Sequence, residues 1–359
     1  MVDGPGASWQ IQFSRPLANL RTTHSVSFTV FEDQPIAQAP PSSWPQRLEA
    51  LLRDLEPTVV VLSRCHGVLL EPIVQAAKNA NIPTIYHIDD DLLSVPEELG
   101  EAKFQFYNDP ARRNRILTAL KSVDLIYCST AALHHRLGRL GLETSSVYGA
   151  IFSAAIPPFK PFSPKAPLTV GYMGTSGHKA DLELVVPAVT ALMRERPDIH
   201  FEVFGSLKLP DALRVEFPDR TSHIPPDANY EQFLTQLSRL GWAVGLAPLK
   251  LTPFNAVKSN TKFVEYSVAG MPVIASAGPA YDSDVQSGCA LGCRNSGDWR
   301  AAMMRVTGSS KTAEGLVAKA QKRLVSEYNI SRLSSQVIHV IQCASRVHAQ
   351  RSGRAGGSV

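Results

Sequence analysis

A turn between a strand and a helix, GYMGTSGHKADL at residues 171–182, holds the first residue types that could do chemistry. An apolar run ends at Gly174, and Lys179 stands where the next helix should begin. Glycine lets a ligand approach the backbone closely, and the free N–H groups at a helix N-terminus attract phosphate. The spacing matches neither common nucleotide-binding glycine pattern. We therefore predict a phosphate-binding turn, with an ordinary strand-to-helix connection as the alternative.

A second candidate segment, residues 246–276, runs from the end of one predicted strand through a helix and into the next strand. Helical spacing places Glu265 near Thr261 and Lys262. A carboxylate there could accept two hydrogen bonds from a vicinal diol such as a ribose, each contributing about 1.5–3 kcal/mol. The alternative is a Lys262–Glu265 surface pair, which would contribute a few tenths of a kcal/mol.

Three consecutive carboxylates, Asp89 to Asp91, follow the predicted strand PTIYHI. Ligands bind beyond the carboxyl ends of parallel strands, so Asp89 and Asp90 should face a cleft. They could orient or deprotonate an acceptor hydroxyl. Loop capping and a metal site are the alternatives. His87, two residues earlier, could reach the same cleft or be structural.

Several arginines are also candidates for contact with an anionic partner. Arg15 and Arg64 follow predicted strands and could meet an anionic acceptor, although solvent-facing side chains are the alternative. A basic cluster on one predicted helix could touch anionic lipid head groups or form a solvated face; it consists of Arg112, Arg113 and Arg115.

The elements that must position these residues alternate between strands and helices, which predicts doubly wound parallel sheets. Residues 150 to about 167, which hold five prolines, interrupt the alternation and mark a linker. We predict a first Rossmann-like domain over 1–155, a second Rossmann-like domain over 156–328, a C-terminal helix over 329–345 and a flexible tail over 346–359. The predicted strands are Trp9–Phe13, Val26–Phe31, 58–63, 83–88, 124–129, 168–173, 199–204, 242–246 and 272–276.

Composition excludes several classes of protein. The chain has 359 residues, 44% hydrophobic, and a formal net charge of +4, which is too weak to argue for nucleic acid. Its five scattered cysteines favour reduced thiols in a cytoplasm. Neither a secretory signal nor a membrane-spanning apolar run is visible. We expect a cytoplasmic protein, with peripheral contact at the inner face of the membrane left open.

The stretch KSNTKFVEYSVAGMPVIAS resembles the donor-binding segment of glycosyltransferases of the group 1 / family 4 kind, which have two Rossmann-like domains in the GT-B fold. Other segments resemble parts of that family in the same order along the chain: IPTIYHIDDDL, DLIYCSTAAL, VGYMGTSGHKADLELVVPAV and VSEYNISRLSSQVIHVI. The last resembles a helix that crosses back to the first domain. The likeness spans roughly residues 10–345.

The resemblance implies roles for individual residues. Glu265 matches the second, ribose-binding glutamate of the family's Glu-x7-Glu pattern. Gly174 and Lys179 match the phosphate-side glycine and lysine. Val257 stands where the first glutamate would be, which leaves the donor sugar open. Asp89 falls about where many members carry a histidine near the reacting centre.

One further departure concerns the diphosphate. Thr175 stands where many members have an arginine, and Lys258 could supply the missing charge. The residues predicted to bind the donor are therefore Gly174, Thr175, Lys179, Lys258, Ser259, Lys262 and Glu265. Asp89 and Lys179 are the predicted catalytic residues, and the acceptor side would hold Arg15, Arg64, His87 and Asp90.

The function implied is a glycosyltransferase that moves a sugar from a nucleotide-diphospho-sugar to a hydroxyl of a glycan or lipid-linked acceptor, without a metal or other cofactor. The resemblance implies retention of anomeric configuration and a role in cell-envelope polysaccharide or glycolipid synthesis. Two alternatives stay open: a non-catalytic nucleotide-sugar-binding module, which the absent glutamate at Val257 motivates, and a nucleotide-sugar epimerase on the same scaffold.

Overall fold

The computed structural model describes residues 7–22, 26–31, 34–142, 147–149, 159–226 and 230–355. Within these residues the chain forms two parallel β-sheets covered by helices, as the alternation predicts. The strands are β1 (Val60–Ser63), β2 (Thr84–Ile88), β3 (Leu125–Cys128), β4 (Val147–Gly149), β5 (Leu168–Met173), β6 (Ile199–Phe204), β7 (Thr221–Ile224), β8 (Val244–Ala247), β9 (Val273–Ser276) and β10 (Ala290–Cys293).

The described helices connect these strands and cover both sheets. Those before β5 are Ala7–Trp9, Gln10–Ser14 (a π-helix), Arg15–Arg21, Gln34–Ala37, Pro41–Ser43 (3-10), Trp44–Leu55, Leu70–Asn79, Glu97–Leu99 (3-10), Glu101–Asn108, Pro110–Ser122 and Ala131–Gly138. Those after β5 are Ser176–His178 (3-10), Lys179–Glu183, Val186–Glu195, Asp211–Glu216, Pro218–Arg220 (3-10), Tyr230–Leu240, Asn255–Val257 (3-10), Thr261–Val268, Asp282–Gln286, Ser296–Thr307, Ser310–Glu327 and Ile330–Ala355.

The first sheet has the order β1-β2-β3-β4, and the second has the order β10-β9-β8-β5-β6-β7. In each sheet the register aligns the carboxyl ends, so that Ser63 lies beside His87 and Met173 beside Phe204. All these pairings are parallel. The loops that follow the strands therefore gather at one edge of each sheet, where a ligand would bind.

The prediction of a strand over Trp9–Phe13 is wrong, because this segment is helical. Trp9 and Phe13 stack at 5.5 Å, the i,i+4 spacing of a helix, and the consecutive residues Ile11, Gln12 and Phe13 are all buried. The second predicted strand, Val26–Phe31, is also wrong, because these residues form no regular secondary structure and join neither sheet.

The C-terminal helix Ile330–Ala355 lies on the first sheet although it follows the second sheet in the chain. Its Val337 and Val340 join Ile85 and Tyr127 in one apolar cluster. The helix also extends beyond the predicted boundary at 345, so a flexible tail over 346–355 is wrong. Arg351 donates to the carbonyl of Val123 at 2.8 Å.

Two predicted features involve residues outside the described part of the chain. The linker over 150–158, with the domain boundary at 155, lies outside it, as do residues 356–359. The described remainder of the proline-rich segment lies along the second sheet's helices, where Lys160 donates its N–H to Val268 at 3.0 Å. All five cysteines are buried thiols.

Candidate functional site

The loops that follow the strands of the two sheets meet across a cleft. The turn Ser176–His178, after β5, packs against the turn Glu97–Leu99 of the first sheet's side. A Cβ added to Gly177 would lie 3.0 Å from Nζ of Lys103 and 3.4 Å from the carbonyl oxygen of Leu99. Because Gly177 has no side chain, the two turns can approach each other closely at this point.

The turn after β5 is shaped by two glycines. Gly205, at φ +130°, comes so close to the carbonyl of Gly174 that a Cβ would collide with it. Gly174 in turn lies against Tyr172, whose buried hydroxyl has no hydrogen-bond partner among the described residues. Thr175 follows as an exposed residue at this turn.

An aspartate anchors the far side of the same turn. Asp181, 4% exposed, accepts hydrogen bonds from Nδ1 of His178 at 2.8 Å and from the N–H of Lys250 at 2.8 Å. The nearby charge of Lys262, together with burial, lowers the pKa of His178 to about 4. His178 is therefore neutral at pH 7 and can donate or accept hydrogen bonds there.

The structure separates Lys179 from this cluster. Its side chain is 77% exposed, and its ammonium lies 3.7 Å from Glu183 on the same short helix. Lys179, predicted as a donor-binding and catalytic residue, is therefore a surface side chain in this structure. The direction of one side chain on a helix depends on where the helix turns, which the spacing of the motif does not reveal.

Lys262 lies at this turn instead. Its ammonium is 5.7 Å from the ring centroid of Tyr172. Among the neighbouring charged groups, the carboxylate of Asp181 interacts with it most strongly. Burial lowers the pKa of Lys262 to about 8, with the charge of Lys258 adding to the shift. Two lysines thus place positive charge beside the glycine turn.

Glu265 points into the interior rather than to solvent. It is 7% exposed and accepts a hydrogen bond of 2.6 Å from the hydroxyl of Tyr230. Burial raises the pKa of Glu265 to about 7, although Tyr230, Lys262 and Arg15 oppose the shift. Sequence reasoning missed Tyr230, because an isolated tyrosine at the start of a helix carries no motif.

Arg15 reaches this carboxylate from the side of the first sheet. Its guanidinium lies 4.9 Å from the ring centroid of Tyr230. Its Nε and Nη1 atoms are buried and have no hydrogen-bond partner among the described residues. A guanidinium in this state is suited to a ligand with a negative charge.

The acidic run after β2 divides its carboxylates among three cations. Asp90 lies 2.9 Å from Nζ of Lys258 and 3.4 Å from Arg64. Although burial favours its neutral form, Lys258 and Arg64 hold the pKa of Asp90 well below its ordinary value. Asp89 pairs with Arg64 and is 5% exposed, whereas Asp91 pairs with Arg136.

His87 is not at the cleft, contrary to the prediction. It is fully buried, packs edge-on against Phe13 at 5.0 Å, and its Nδ1 lies 3.0 Å from the hydroxyl of Ser63. Burial lowers the pKa of His87 to about 4. The helix Gln10–Ser14, predicted as a strand, is what covers it.

Two residues that precede the helix Thr261–Val268 have structural partners. Val257 is 5% exposed and packs into the core of the first sheet, where its carbonyl accepts a hydrogen bond of 2.7 Å from Thr130. The hydroxyl of Ser259 lies 2.9 Å from that of Thr261. Val257, which stands where the missing glutamate would be, therefore connects the second half of the chain to the core of the first sheet.

Two classes of feature are absent from the described residues. No three or more His, Cys, Asp or Glu side chains there converge as ligands for a metal ion. None of the described helices combines the length and the apolar character needed to cross a bilayer.

Known proteins resemble this chain in structure but not detectably in sequence. No protein-family model matches it, and no curated protein sequence matches it significantly. Anabaena HepE, solved with UDP and glucose, superposes with a TM-score of 0.63 at 14% identity, over 95% of this chain and 98% of HepE. The pneumococcal O-GlcNAc transferase GtfA, solved with UDP and GlcNAc, gives 0.57 at 14% identity, over 83% of this chain and 59% of its own.

A third neighbour carries the description of a different type of enzyme. A Listeria monocytogenes protein described as a UDP-N-acetylglucosamine 2-epimerase has a TM-score of 0.56 at 11% identity, over 95% of this chain and 94% of its own. Together with the two parallel sheets, these likenesses define the class: the chain has the GT-B fold, with two Rossmann-like domains facing a cleft. At this level of identity, they show the fold alone.

Proposed function

We propose that the protein is a glycosyltransferase that moves a sugar from a nucleotide-diphospho-sugar to a hydroxyl acceptor. The observation that carries the proposal is that one helix brings two suitable side chains to the cleft: Lys262, which lies beside the glycine turn, and the buried Glu265. One could bind a diphosphate, and the other a ribose diol. The solved neighbours that hold UDP support a donor of this class.

The diphosphate would lie against the turn at Gly174, with Lys262 as its principal cation. A lysine with a pKa near 8 is mostly protonated at pH 7. Its charge would stabilise the negative charge that develops on the leaving nucleotide, which is electrostatic catalysis. Lys262 takes this role in place of Lys179, whose ammonium lies at the surface.

The acceptor would enter from the side of the first sheet. Asp90 is the more exposed of the two candidate carboxylates, with 26% of its side chain exposed against 4% for Asp89. Asp90 is therefore placed to orient an acceptor hydroxyl, whereas Asp89 holds Arg64 in position. The unpartnered nitrogens of Arg15 fit an acceptor that carries a phosphate or carboxylate.

Contact with a membrane surface is part of this proposal. Arg112 stacks on the ring of Phe106, which is 40% exposed. The ring of His66 contacts Phe106 at 5.0 Å, and Val68, two residues after His66, is 43% exposed. Arg113 is exposed on the same helix as Arg112. Basic and apolar side chains on one surface suit an anionic lipid interface, where a lipid-linked acceptor would be found.

Two alternatives are each favoured by a specific observation. The Listeria neighbour favours an epimerase acting on the nucleotide sugar, and the apolar, buried Val257 favours a binding module without turnover. A nucleotide-release assay over a panel of donors, with and without membrane and glycan extracts, tests all three. Release that depends on acceptor supports transfer, an isomerised donor supports the epimerase, and binding without either reaction contradicts catalysis.

A further inference from the structure

One ion pair crosses the cleft at the candidate diphosphate site. Nζ of Lys258, from the second sheet's side, lies 2.9 Å from a carboxylate oxygen of Asp90, from the first. Both side chains keep some contact with solvent, at 16% and 26% exposure. The pair is therefore within reach of a ligand that enters the cleft.

Lys258 belongs to the same group of cations as Lys262. The turn Asn255–Val257, directly before Lys258, contacts Asp181 through Nδ2 of Asn255 at 3.4 Å, and Asp181 also binds His178 of the glycine turn. Burial lowers the pKa of Lys262, and Lys262 together with burial lowers that of His178; the charge of Lys258 adds to both shifts. A diphosphate bound at the glycine turn would be attracted to both lysines. Without a ligand, Lys262 has Asp181 and Glu265 nearby, whereas Lys258 is neutralised by Asp90.

Asp90 has a second partner that does not depend on Lys258. Arg64 lies 3.4 Å from its other carboxylate oxygen and also pairs with the neighbouring Asp89. Loss of Lys258 as a partner would therefore leave Asp90 ionised and held on its own side of the cleft.

We propose that Asp90 is a placeholder anion, which neutralises Lys258 while the donor site is empty and is displaced from it by the donor diphosphate. This inference rests on the proposed function. Displacement leaves Asp90 held by Arg64 alone, with the oxygen that Lys258 had occupied open to a hydrogen bond from the acceptor hydroxyl.

The test is calorimetric titration with UDP, inorganic pyrophosphate and uridine. Asp90→Asn keeps the size of the side chain but removes the competing charge. It should tighten binding of UDP and pyrophosphate by about fivefold, as expected for a partly exposed ion pair. Uridine, which lacks phosphate, should bind as it does to the wild type. Glu98→Gln removes an exposed carboxylate from the same side of the cleft and should change nothing.

The gain should also require Lys258. In a Lys258→Met background, which should itself bind UDP more weakly, Asp90→Asn should give no further gain. Unchanged or weaker UDP binding by Asp90→Asn, or a gain that persists without Lys258, would overturn the inference. A wild-type protein that binds no nucleoside diphosphate at all would instead refute the proposed function, so the two failures are distinguishable.

Discussion

The hydroxyl of Tyr230 donates a hydrogen bond of 2.6 Å to the carboxylate of Glu265, and Arg15 from the other half of the protein lies over the same tyrosine ring. The carboxylate is thus held in a fixed direction by groups from both sides of the cleft. A ribose diol arriving there would meet an acceptor group that is already oriented, which lowers the entropy cost of binding.

Replacing Glu265 with alanine should weaken binding of a nucleoside diphosphate by at least about 1.5 kcal/mol, because a charge-assisted hydrogen bond is lost. Isothermal titration with UDP measures the effect. Glu183→Ala, which removes a 58% exposed glutamate, is the matched control and should leave affinity unchanged. Equal affinity of Glu265→Ala and wild type would remove Glu265 from the site.

The stability of the protein should depend on pH through the same carboxyl group. Burial raises the pKa of Glu265 from 4.5 to about 7, so the folded state binds its proton more tightly than the unfolded state. The stability that this gives is fully present below pH 4.5 and is lost as the pH rises through 7. Glu265→Gln should remove this dependence and raise the free energy of unfolding at pH 8 by on the order of 3 kcal/mol relative to wild type.

Urea denaturation of both proteins between pH 5 and 8 measures this difference. The gap between Glu265→Gln and wild type should widen from pH 5 to about pH 7 and level off above it. A constant gap would mean that Glu265 does not titrate in this window.

Lys262 and Lys179 should differ sharply when each is replaced with methionine. Lys262 lies beside Tyr172 at the glycine turn, whereas Lys179 is 77% exposed. Lys262→Met should weaken pyrophosphate and UDP binding by about tenfold or more, the loss expected for a hydrogen-bonded charge. Lys179→Met should change affinity less than twofold. The reverse order of effects would restore the assignment made from the motif alone.

The choice between these two lysines shows where sequence reasoning ends. The glycine turn and the helix with Glu265 could both be predicted, because the apolar run that ends at Gly174 and the helical spacing around Glu265 mark them locally. Which lysine reaches the ligand depends on the packing of that helix against Tyr172 and on the direction in which Lys179 leaves a five-residue helix. Neither is encoded in the spacing of the motif.

The segment Trp9–Phe13 shows a similar limit in predicting the fold from local sequence. Alternating apolar residues at Trp9, Ile11 and Phe13 predict a strand, but the segment lies in a helix buried on the first sheet. The polar residue Gln12 is itself buried and donates a hydrogen bond to the hydroxyl of Tyr127, so the alternation in this segment does not mark a solvent-facing side of a strand. The same helix covers His87, for which the sequence left a structural role open beside one at the cleft.

Restoring a glutamate at position 257 should harm the protein rather than improve it. Val257 is 5% exposed in the first sheet's core, so Val257→Glu would bury a charge without a partner. We expect a loss of at least about 3 kcal/mol in the free energy of unfolding. Leu251→Glu, at a residue 78% exposed in a nearby loop, is the control and should be tolerated. A stable Val257→Glu with tighter donor binding would contradict the described packing.

Binding to anionic vesicles should depend on the basic helix Pro110–Ser122. Arg113→Glu combined with Phe106→Ser should lower the protein fraction that sediments with vesicles containing phosphatidylglycerol, because charge attraction and apolar contact are both lost. Arg305→Glu, on an exposed face of the helix Ser296–Thr307, makes the same charge change elsewhere. Equal sedimentation of the two variants would place membrane contact, if any, on another surface.

The helix Ile330–Ala355 affects how the protein folds during its synthesis. Because it supplies Val337 and Val340 to the apolar face of the first sheet, the amino-terminal half leaves the ribosome with that face bare. Only when translation has passed this helix does the chain supply its own cover. A fragment that stops before this helix would expose the apolar face of the first sheet to solvent and should aggregate.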